Sequence, residues 1–242
     1  MDFPLLRRAD VPATHPARDS WQRIVFAEFE AALTSPSRPF PCTFGAAGFK
    51  TDQLRYAFCT ELTPAAVANA LTAYLPCARE FGPNTSLVIF ETPRPAPGTV
   101  EQHEQRFWKL LRGTAALDTA AWPKHVPTEL DQPLWEFCFA GEPIFVVCNT
   151  PAHVLRQSRR ASGFMLTFQP RWVFEQILGT PEASEKSVGI VSRRLAAFDL
   201  VPRCPALGSY GQADVREWKQ YFLPDENIAA TQPFTTLRDV GA

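Results

Sequence analysis

The spacing of apolar residues along the chain predicts a succession of helices and short strands. Apolar side chains recur at helical spacing in residues 20–33, and they alternate with polar or small residues in 53–60, as in a half-buried strand. By the same criteria we expect further helices at 63–81, 99–118, 171–178 and 185–199, and further strands at 85–90, 134–139, 143–148 and 163–169. A short Gly-containing connection, residues 140–142, predicts a hairpin between two of these strands.

This order of elements predicts an α+β fold, a single domain in which helices cover a mixed or largely antiparallel sheet. A chain of 242 residues is long enough to bury a large core and short for two domains. Residues 1–19 are polar and contain prolines, so we expect a flexible N-terminal arm followed by one domain over 20–242. Residues 40–45 are expected to form a loop. The alternation of helix and strand in the first half keeps an α/β fold open.

Amino-acid composition limits which partners the protein can bind and in which cell compartment we expect it. Hydrophobic residues make up 45% and aromatic residues 12%, with 19 Phe, so a pocket with flat aromatic walls is available. The formal net charge of -1 argues against non-specific attraction to nucleic acid, and any anion site must be local. No apolar stretch approaches the ~20 residues of a membrane span, and the N-terminus does not resemble a secretory signal. We therefore expect a cytoplasmic protein whose six cysteines are free thiols.

His153 differs from the other three histidines in its sequence context. We expect those three, His15, His103 and His125, at the surface. His153 follows a predicted strand end and precedes Arg156, Arg159 and Arg160. A neutral imidazole is the commonest metal ligand, and Arg binds carboxylates bidentately, so a ligand with a metal and carboxylates, such as haem, suits this segment. A basic solvated turn and a phosphate or nucleic-acid patch are the alternatives.

Cys42 and two glutamates are further candidates for chemistry. Cys42, within residues 40–45, can bind haem iron as a thiolate or can be a buried, inert thiol. Glu136 and Glu142 lie in the predicted hairpin, where a carboxylate can hold a cationic substrate or simply face water. The chain has no Walker A loop, dinucleotide-binding glycine motif, zinc-protease motif or serine-hydrolase elbow, so those mechanisms lose their usual support.

Several unusual motifs, in one order along the chain, are similar to those of the YqcI/YcgG family. They are Phe40-Pro-Cys-Thr-Phe-Gly, Gln53-Leu-Arg-Tyr-Ala-Phe, Phe107-Trp-Lys-Leu-Leu, Trp135-Glu-Phe-Cys-Phe-Ala-Gly-Glu-Pro-Ile-Phe, Pro151-Ala-His-Val-Leu-Arg-Gln-Ser-Arg, Phe168-Gln-Pro-Arg-Trp-Val-Phe-Glu, Gly208-Ser-Tyr-Gly and Glu217-Trp-Lys-Gln-Tyr-Phe-Leu-Pro-Asp. The resemblance spans nearly the whole chain, with little of it in the N-terminal arm and in residues 180–186.

The resemblance implies haem chemistry, since characterised relatives look like haem-dependent enzymes that oxygenate nitrogen in specialised-metabolite and antibiotic biosynthesis. For this chain it implies a monooxygenase that hydroxylates the guanidino or amino nitrogen of an amino acid such as L-arginine. O₂ and an external electron donor would be its other partners, and nucleic acid and membranes would not. A non-catalytic haem sensor or carrier is the alternative. The oligomeric state is left open, a homodimer included.

The implied site centres on His153 as the proximal ligand of haem b. The expected partners of the haem propionates are Arg156, Arg159 and Arg171. Glu136 is the first candidate to orient a cationic substrate, and Glu217 is the second. The expected aromatic wall consists of Phe44, Phe137 and Phe168.

Overall fold

A mixed β-sheet is the centre of the part of the chain that the computed structural model describes, residues 4–96, 98–177 and 180–238. Within those residues the sheet has five strands: β1 (Arg55–Cys59), β2 (Leu87–Glu91), β3 (Phe137–Phe139), β4 (Glu142–Asn149) and β5 (Met165–Pro170). Their spatial order is β1-β2-β5-β4-β3, with β1 parallel to β2 and the other neighbours antiparallel. The predicted α+β fold with a mixed sheet is confirmed.

The predicted hairpin is formed by β3 and β4. Its turn residues Ala140 and Gly141 have φ of 52° and 76°. Tight two-residue turns between antiparallel strands require such left-handed values, because they match the twist of the strands.

Helices cover both faces of the sheet. They are α1 (Asp10–Thr14), α2 (Trp21–Thr34), α3 (Thr43–Lys50), α4 (Pro64–Tyr74), α5 (Ala78–Phe81), α6 (Val100–Ala116), α7 (Arg171–Ile177), α8 (Pro181–Phe198) and α9 (Trp218–Tyr221). Among the described residues, no helix combines the length and the apolar character that a membrane span requires.

The helix expected over 63–81 is divided in the structure. α4 ends at Tyr74, and a 3-10 turn, Leu75–Cys77, leads into α5. Pro76 explains the division, because it has no amide hydrogen with which to continue an α-helix. Leu178, the last residue of the helix expected at 171–178, lies outside the described residues.

Alternating side chains give the sheet two different faces. Ile144 and Val146 of β4 and Phe168 of β5 belong to the main hydrophobic core, in which α4 and α6 also pack. The residues that alternate with these along each strand, such as Val147 and Thr167, line a cavity on the opposite face. A second, smaller core lies on that opposite face near β1 and includes Val25, Phe26, Phe49, Tyr56 and Phe90.

Helix α3 occupies much of the segment that the sequence pattern predicts to be a loop. It starts at Thr43, and its small residues Gly45 and Gly48 do not form the apolar stripe that indicates an amphipathic helix. Packing against the rest of the fold requires one of these small residues, because a Cβ atom on Gly48 would lie 2.3 Å from the carbonyl oxygen of Asn84. Tertiary contact therefore decides where this helix forms.

The N-terminal segment packs on the domain, in contrast to the flexible arm that we expected. Leu6 and Tyr56 exchange two backbone hydrogen bonds, of 2.8 and 2.9 Å, at the edge of the sheet. Val11 in α1 is fully buried in the second core. This pairing covers part of the edge of β1, whose backbone groups would otherwise be left without a strand partner. Residues 1–3 and 239–242 of the expected arm and domain lie outside the described residues.

The close approach at Gly48 predicts a loss of stability in Gly48→Ala. We expect the free energy of unfolding to fall by about 1–3 kcal/mol, because the new methyl group would have to displace backbone. The matched control is Gly189→Ala in α8, where the nearest atom to a new Cβ is the Nη1 of Arg193 at 3.9 Å. That variant should be neutral or slightly more stable, since Ala favours helix over Gly. Urea denaturation measures both, and equal stabilities would contradict the packing that we describe.

Candidate functional site

A cavity of about 300 Å³ opens on the face of the sheet opposite the main core. This volume is at the lower end of the range of about 300–1,000 Å³ that is usual for small-molecule sites. α2, α8 and the start of α3 form its sides. Its floor consists of alternate residues of three strands, namely Val88 and Phe90 of β2, Phe145, Val147 and Asn149 of β4, and Met165, Thr167 and Gln169 of β5.

The lining of the cavity is predominantly apolar and rich in aromatic rings. The phenylalanines that contribute to it are Phe29, Phe40, Phe44, Phe90, Phe145, Phe164 and Phe174. Phe44 and Phe145 both stack edge-on against Phe174, with ring centroids 6.1 and 5.6 Å apart. Such walls suit a flat, apolar ligand, and they separate it from bulk water.

Cys42 opens into this cavity at the N-terminus of α3. It is the N-cap residue of the helix, and its Sγ accepts a hydrogen bond from the backbone N–H of Gly45 at 3.3 Å. Burial raises the pKa of the Cys42 thiol, while the N–H groups of Gly45 and Phe44 and the charges of Arg159 and Arg194 act in the opposite direction. The thiol is thus held next to positive groups that would stabilise a thiolate when a metal displaces its proton.

Arg159 brings a buried positive charge to the same cavity. Its side chain donates to the backbone carbonyls of Gln220 and Tyr221, at 2.9 and 3.3 Å. No carboxylate of the described residues forms an ion pair with it, although the residue is only 7% exposed. Burial, together with the neighbouring charge of Arg156, lowers the pKa of Arg159 to about 10. A buried cation of this kind is stabilised by an anion, which a ligand with a carboxylate can supply.

Gln169 places an amide on the floor of the cavity. The residue is 6% exposed, and within the described residues its Nε2 has no hydrogen-bond partner. A buried amide donor without a partner costs about 1–3 kcal/mol. A polar atom of a bound molecule would remove that cost. Gln169 was not among our sequence candidates, although a glutamine in an otherwise buried strand is an unusual choice for a core position.

Two carboxylates occur in the described lining of the cavity, Glu28 and Glu91. Glu91 is buried and accepts hydrogen bonds from Arg106 at 2.6 Å through both oxygens. Glu28, on α2 at the exposed rim, accepts one bond from the N–H of Ser162 at 2.9 Å through Oε2. Glu28 is therefore the carboxylate of this lining that can receive a cation from solution.

His153 is fully buried, but it does not belong to the described lining of the cavity. Its Nε2 lies 2.8 Å from the carbonyl oxygen of Leu223, and its Nδ1 lies 2.8 Å from the hydroxyl of Thr150. A carbonyl can only accept, so Nε2 carries the proton and Nδ1 accepts from Thr150. Burial lowers the pKa of His153 to about 4. The neutral ring has no lone pair left for a metal, and this geometry argues against His153 as the iron ligand.

Residues 154–156, which follow His153, form hydrogen bonds with the C-terminal part of the chain. Asp225 accepts hydrogen bonds from three successive backbone N–H groups, those of Val154, Leu155 and Arg156, at 2.7 to 3.0 Å. The guanidinium of Arg156 donates to the carbonyl of Pro224 and to the side chain of Asn227. Arg156 is fully buried and is not part of the described cavity lining, so its expected role as a propionate partner is not supported.

Arg171, Glu136 and Glu217 form a buried cluster behind Phe174, whose ring centroid lies 5.2 Å from the guanidinium carbon of Arg171. Arg171 donates to both oxygens of Glu136 and to Glu217, and its guanidinium lies 3.9 Å from the ring centroid of Tyr210. None of the three belongs to the described cavity lining. The expected propionate partner Arg171 and the expected substrate carboxylates Glu136 and Glu217 thus satisfy one another.

The expected aromatic wall is divided between the two faces of the sheet. Phe44 lines the cavity. Phe137 and Phe168 are fully buried in the main core on the opposite face, with ring centroids 6.2 Å apart. Because side chains alternate along a strand, neighbours such as Phe168 and Gln169 must face opposite sides.

Comparisons with known proteins place the chain among homologues. The YqcI/YcgG family matches it over residues 29–235. The uncharacterized protein YqcI of Bacillus subtilis (strain 168) is 40% identical over 244 residues, which covers 98% of this chain and 96% of the relative. YcgG, also uncharacterized and from the same organism, is 39% identical over 228 residues, with coverages of 91% and 90%.

A more distant relative carries a functional name. DcsA of Streptomyces lavendulae, named as a candidate N(omega)-hydroxy-L-arginine synthase, is 29% identical over 228 residues, which covers 90% of this chain and 85% of DcsA. No solved structure matches the chain.

The buried carboxylate cluster predicts a pH dependence of stability. Burial raises the pKa of Glu136 from 4.5 to about 8, although Arg171 opposes this shift. Between these values the folded state keeps a proton that the unfolded state has lost, so the contribution of Glu136 to the free energy of unfolding should fall as the pH rises from about 5 to about 8. The lowered pKa of His153 acts in the opposite direction below pH 6.5, and it is the same in wild type and variant. Glu136→Gln, which is neutral throughout, should flatten this decline. Chemical denaturation at several pH values measures the slope, and the exposed-site control Glu129→Gln should keep the wild-type slope. A wild-type slope in Glu136→Gln would contradict the assignment.

Proposed function

Because this chain belongs to the YqcI/YcgG family, and because a 29% identical relative is named as a candidate synthase of N(omega)-hydroxy-L-arginine, we propose that it is a haem-dependent N-oxygenase. The proposed substrate is an amino acid such as L-arginine, hydroxylated on its guanidino or amino nitrogen. One observation carries the proposal. A helix-capping thiol and a buried arginine that has no carboxylate partner in the described residues share a single apolar cavity.

The kinds of side chain in the lining match the parts of haem b, which are a flat apolar ring, an iron ion and two propionates. The phenylalanine-rich walls suit the ring. Cys42 is a soft ligand of the kind that binds haem iron. Arg159 suits one propionate, since it is a buried cation without an acidic partner in the described part of the chain, and Arg160, also in the lining, suits the other.

Cys42 replaces His153 as the iron ligand in this proposal. Metal binding requires the thiolate, and the N–H of Gly45 that already bonds to the sulfur stabilises negative charge there. The charges of Arg159 and Arg194 act in the same direction. Hydrogen bonds to a ligating sulfur are one of the means by which proteins adjust the properties of a metal centre.

The chemistry that a bound haem supplies is the activation of O₂ with two electrons. In the overall reaction one oxygen atom of O₂ enters an N–H bond of the substrate to give N–OH, and the other leaves as water. This balance consumes two electrons and two protons, and the electrons come from an external donor. The contribution of the chain is to hold the substrate nitrogen in place and to keep bulk water away from it, which the apolar lining favours.

Glu28 takes the role of orienting a cationic substrate, in place of Glu136 and Glu217. It is the carboxylate of the described lining that is not held by arginines. A guanidinium forms two parallel hydrogen bonds with a carboxylate, so Glu28 can fix both the position and the direction of an arginine side chain at the rim.

Replacement of the thiol provides the test of the haem site. Reconstituted with haem, the wild-type protein should show a visible spectrum whose ferrous carbonyl complex has the red-shifted Soret band of a thiolate ligand. Cys42→Ser should bind haem about tenfold more weakly or lose the red shift. Cys77→Ser, at a partly exposed thiol outside the described lining, should keep both. With O₂, a reductant and L-arginine, the wild type should form a hydroxylated product detectable by mass spectrometry.

Three results of the same measurements would contradict the proposed haem enzyme or its ligand. A wild-type protein that stays colourless with haem would refute haem dependence. An unchanged spectrum in Cys42→Ser, together with loss of the spectrum in His153→Ala, would return the ligand to His153. A coloured protein that forms no hydroxylated product from a panel of amines, above a haem-only control, would favour the sensor or carrier.

Removal of the charge at Glu28 should separate substrate recognition from haem binding. For Glu28→Gln we expect KM for L-arginine to rise about tenfold, because one charge-assisted contact at an exposed site is lost, while kcat changes less. L-citrulline, the neutral analogue, should be used about equally well by wild type and variant. Glu30→Gln, two residues along α2 and outside the described lining, is the control and should behave as wild type. Equal KM values in the two variants would remove Glu28 from the substrate site.

A further inference from the structure

A basic groove lies on the surface beside the cavity. Three arginines line it, Arg38 before α3, and Arg193 and Arg194 on α8, together with Ser37, Pro39, Ile190 and Ala197. Its described lining contains no Asp or Glu. Positive charge is therefore concentrated here, in a chain whose formal net charge is -1.

The arginines of the groove, Arg38, Arg193 and Arg194, form no ion pairs within the described part of the protein. Arg38 is held in place by Phe198, whose ring centroid lies 4.0 Å from its guanidinium carbon. Arg193 is exposed. Fixed, unpaired cations on one surface create a local field that attracts acidic partners.

The groove and the cavity share one wall. Residues 37–39 line the groove, and Phe40, Pro41 and Cys42, which follow directly, line the cavity. Helix α8 likewise presents Arg193 and Arg194 to the groove and Val191 and Leu195 to the cavity. Arg194 connects the two sides, since it donates to the carbonyl of Phe40 at 3.0 Å. The groove and the cavity that contains Cys42 are thus lined by adjacent residues of the same two segments.

We propose that this groove docks an acidic one-electron carrier protein, an iron–sulfur or flavin protein, that supplies the electrons for the reaction. This inference rests on the proposed function. Each turnover inserts one oxygen atom into an N–H bond and forms one water, so two electrons and two protons are needed. Two reduced carrier molecules bind in turn and each gives up one electron, and the protons come from solvent. The site of docking follows from charge complementarity at the wall that bears the thiol.

The test measures carrier binding and haem reduction separately. An acidic [2Fe–2S] ferredoxin and an acidic flavodoxin serve as probes, with calorimetry for binding and stopped-flow spectroscopy for reduction of the haem-loaded protein. For the double variant Arg38→Glu/Arg193→Glu, we expect binding and the reduction rate to fall about tenfold or more at low salt. The difference should shrink as salt screens the charges. Reduction by dithionite, which needs no docking, should be unchanged.

The control is Lys109→Glu, a single charge reversal at an exposed position of α6, half the charge change of the double variant, on a helix that packs on the other face of the sheet. It should bind and accept electrons like the wild type. The proposal is overturned if neither carrier binds the wild type more tightly than the double variant, or if Lys109→Glu loses as much as that variant. These outcomes differ from failure of the proposed function, which would appear as a wild-type protein that takes up no haem or forms no hydroxylated product.

Discussion

The opposition of the two faces of the sheet is the constraint on which the rest of this structure depends. Along β4 and β5, one set of side chains packs into the main core and the set between them lines the cavity. Phe168 and Gln169 are neighbours in sequence, yet they belong to a hydrophobic core and to a candidate binding site respectively. A shift of one residue in the pairing of β5 would exchange them and abolish both.

Burial of polar groups distinguishes the residues that support the fold from those that are available to a ligand. Arg156 and His153 are fully buried, and the C-terminal segment supplies partners to the ring of His153 and to the Nε and Nη2 of Arg156, whose Nη1 has no hydrogen-bond partner among the described residues. Arg159 and Gln169 both line the cavity. Among the described residues Arg159 donates to two backbone carbonyls but forms no ion pair, and the Nε2 of Gln169 has no partner. Because an unsatisfied buried group is costly, such residues indicate a site more reliably than a cluster of charged residue types does.

Helix α3 links the proposed chemistry to the exterior of the molecule. Its N-terminus orients the thiol of Cys42 through the N–H of Gly45, and its close packing at Gly48 fixes the helix against the strand β2 side of the sheet. The loop that precedes it carries Arg38 into the basic groove. One short stretch of chain therefore contributes Arg38 to the groove and Cys42 to the cavity.

The sequence by itself determined the class of the fold, the order of most helices and strands, the family, and three of the cavity residues, Cys42, Phe44 and Arg159, because these depend on local periodicity and on recognisable motifs. It did not determine that α3 is a helix or that Phe168 faces away from the cavity. Nor did it determine that the Nε2 of His153 donates a hydrogen bond to the carbonyl oxygen of Leu223. Those facts depend on contacts between residues far apart in the chain, such as the pair at positions 153 and 223. Only the tertiary structure decides which polar groups meet a partner on burial, and the Nε2 of Gln169, in the cavity, is one that does not among the described residues.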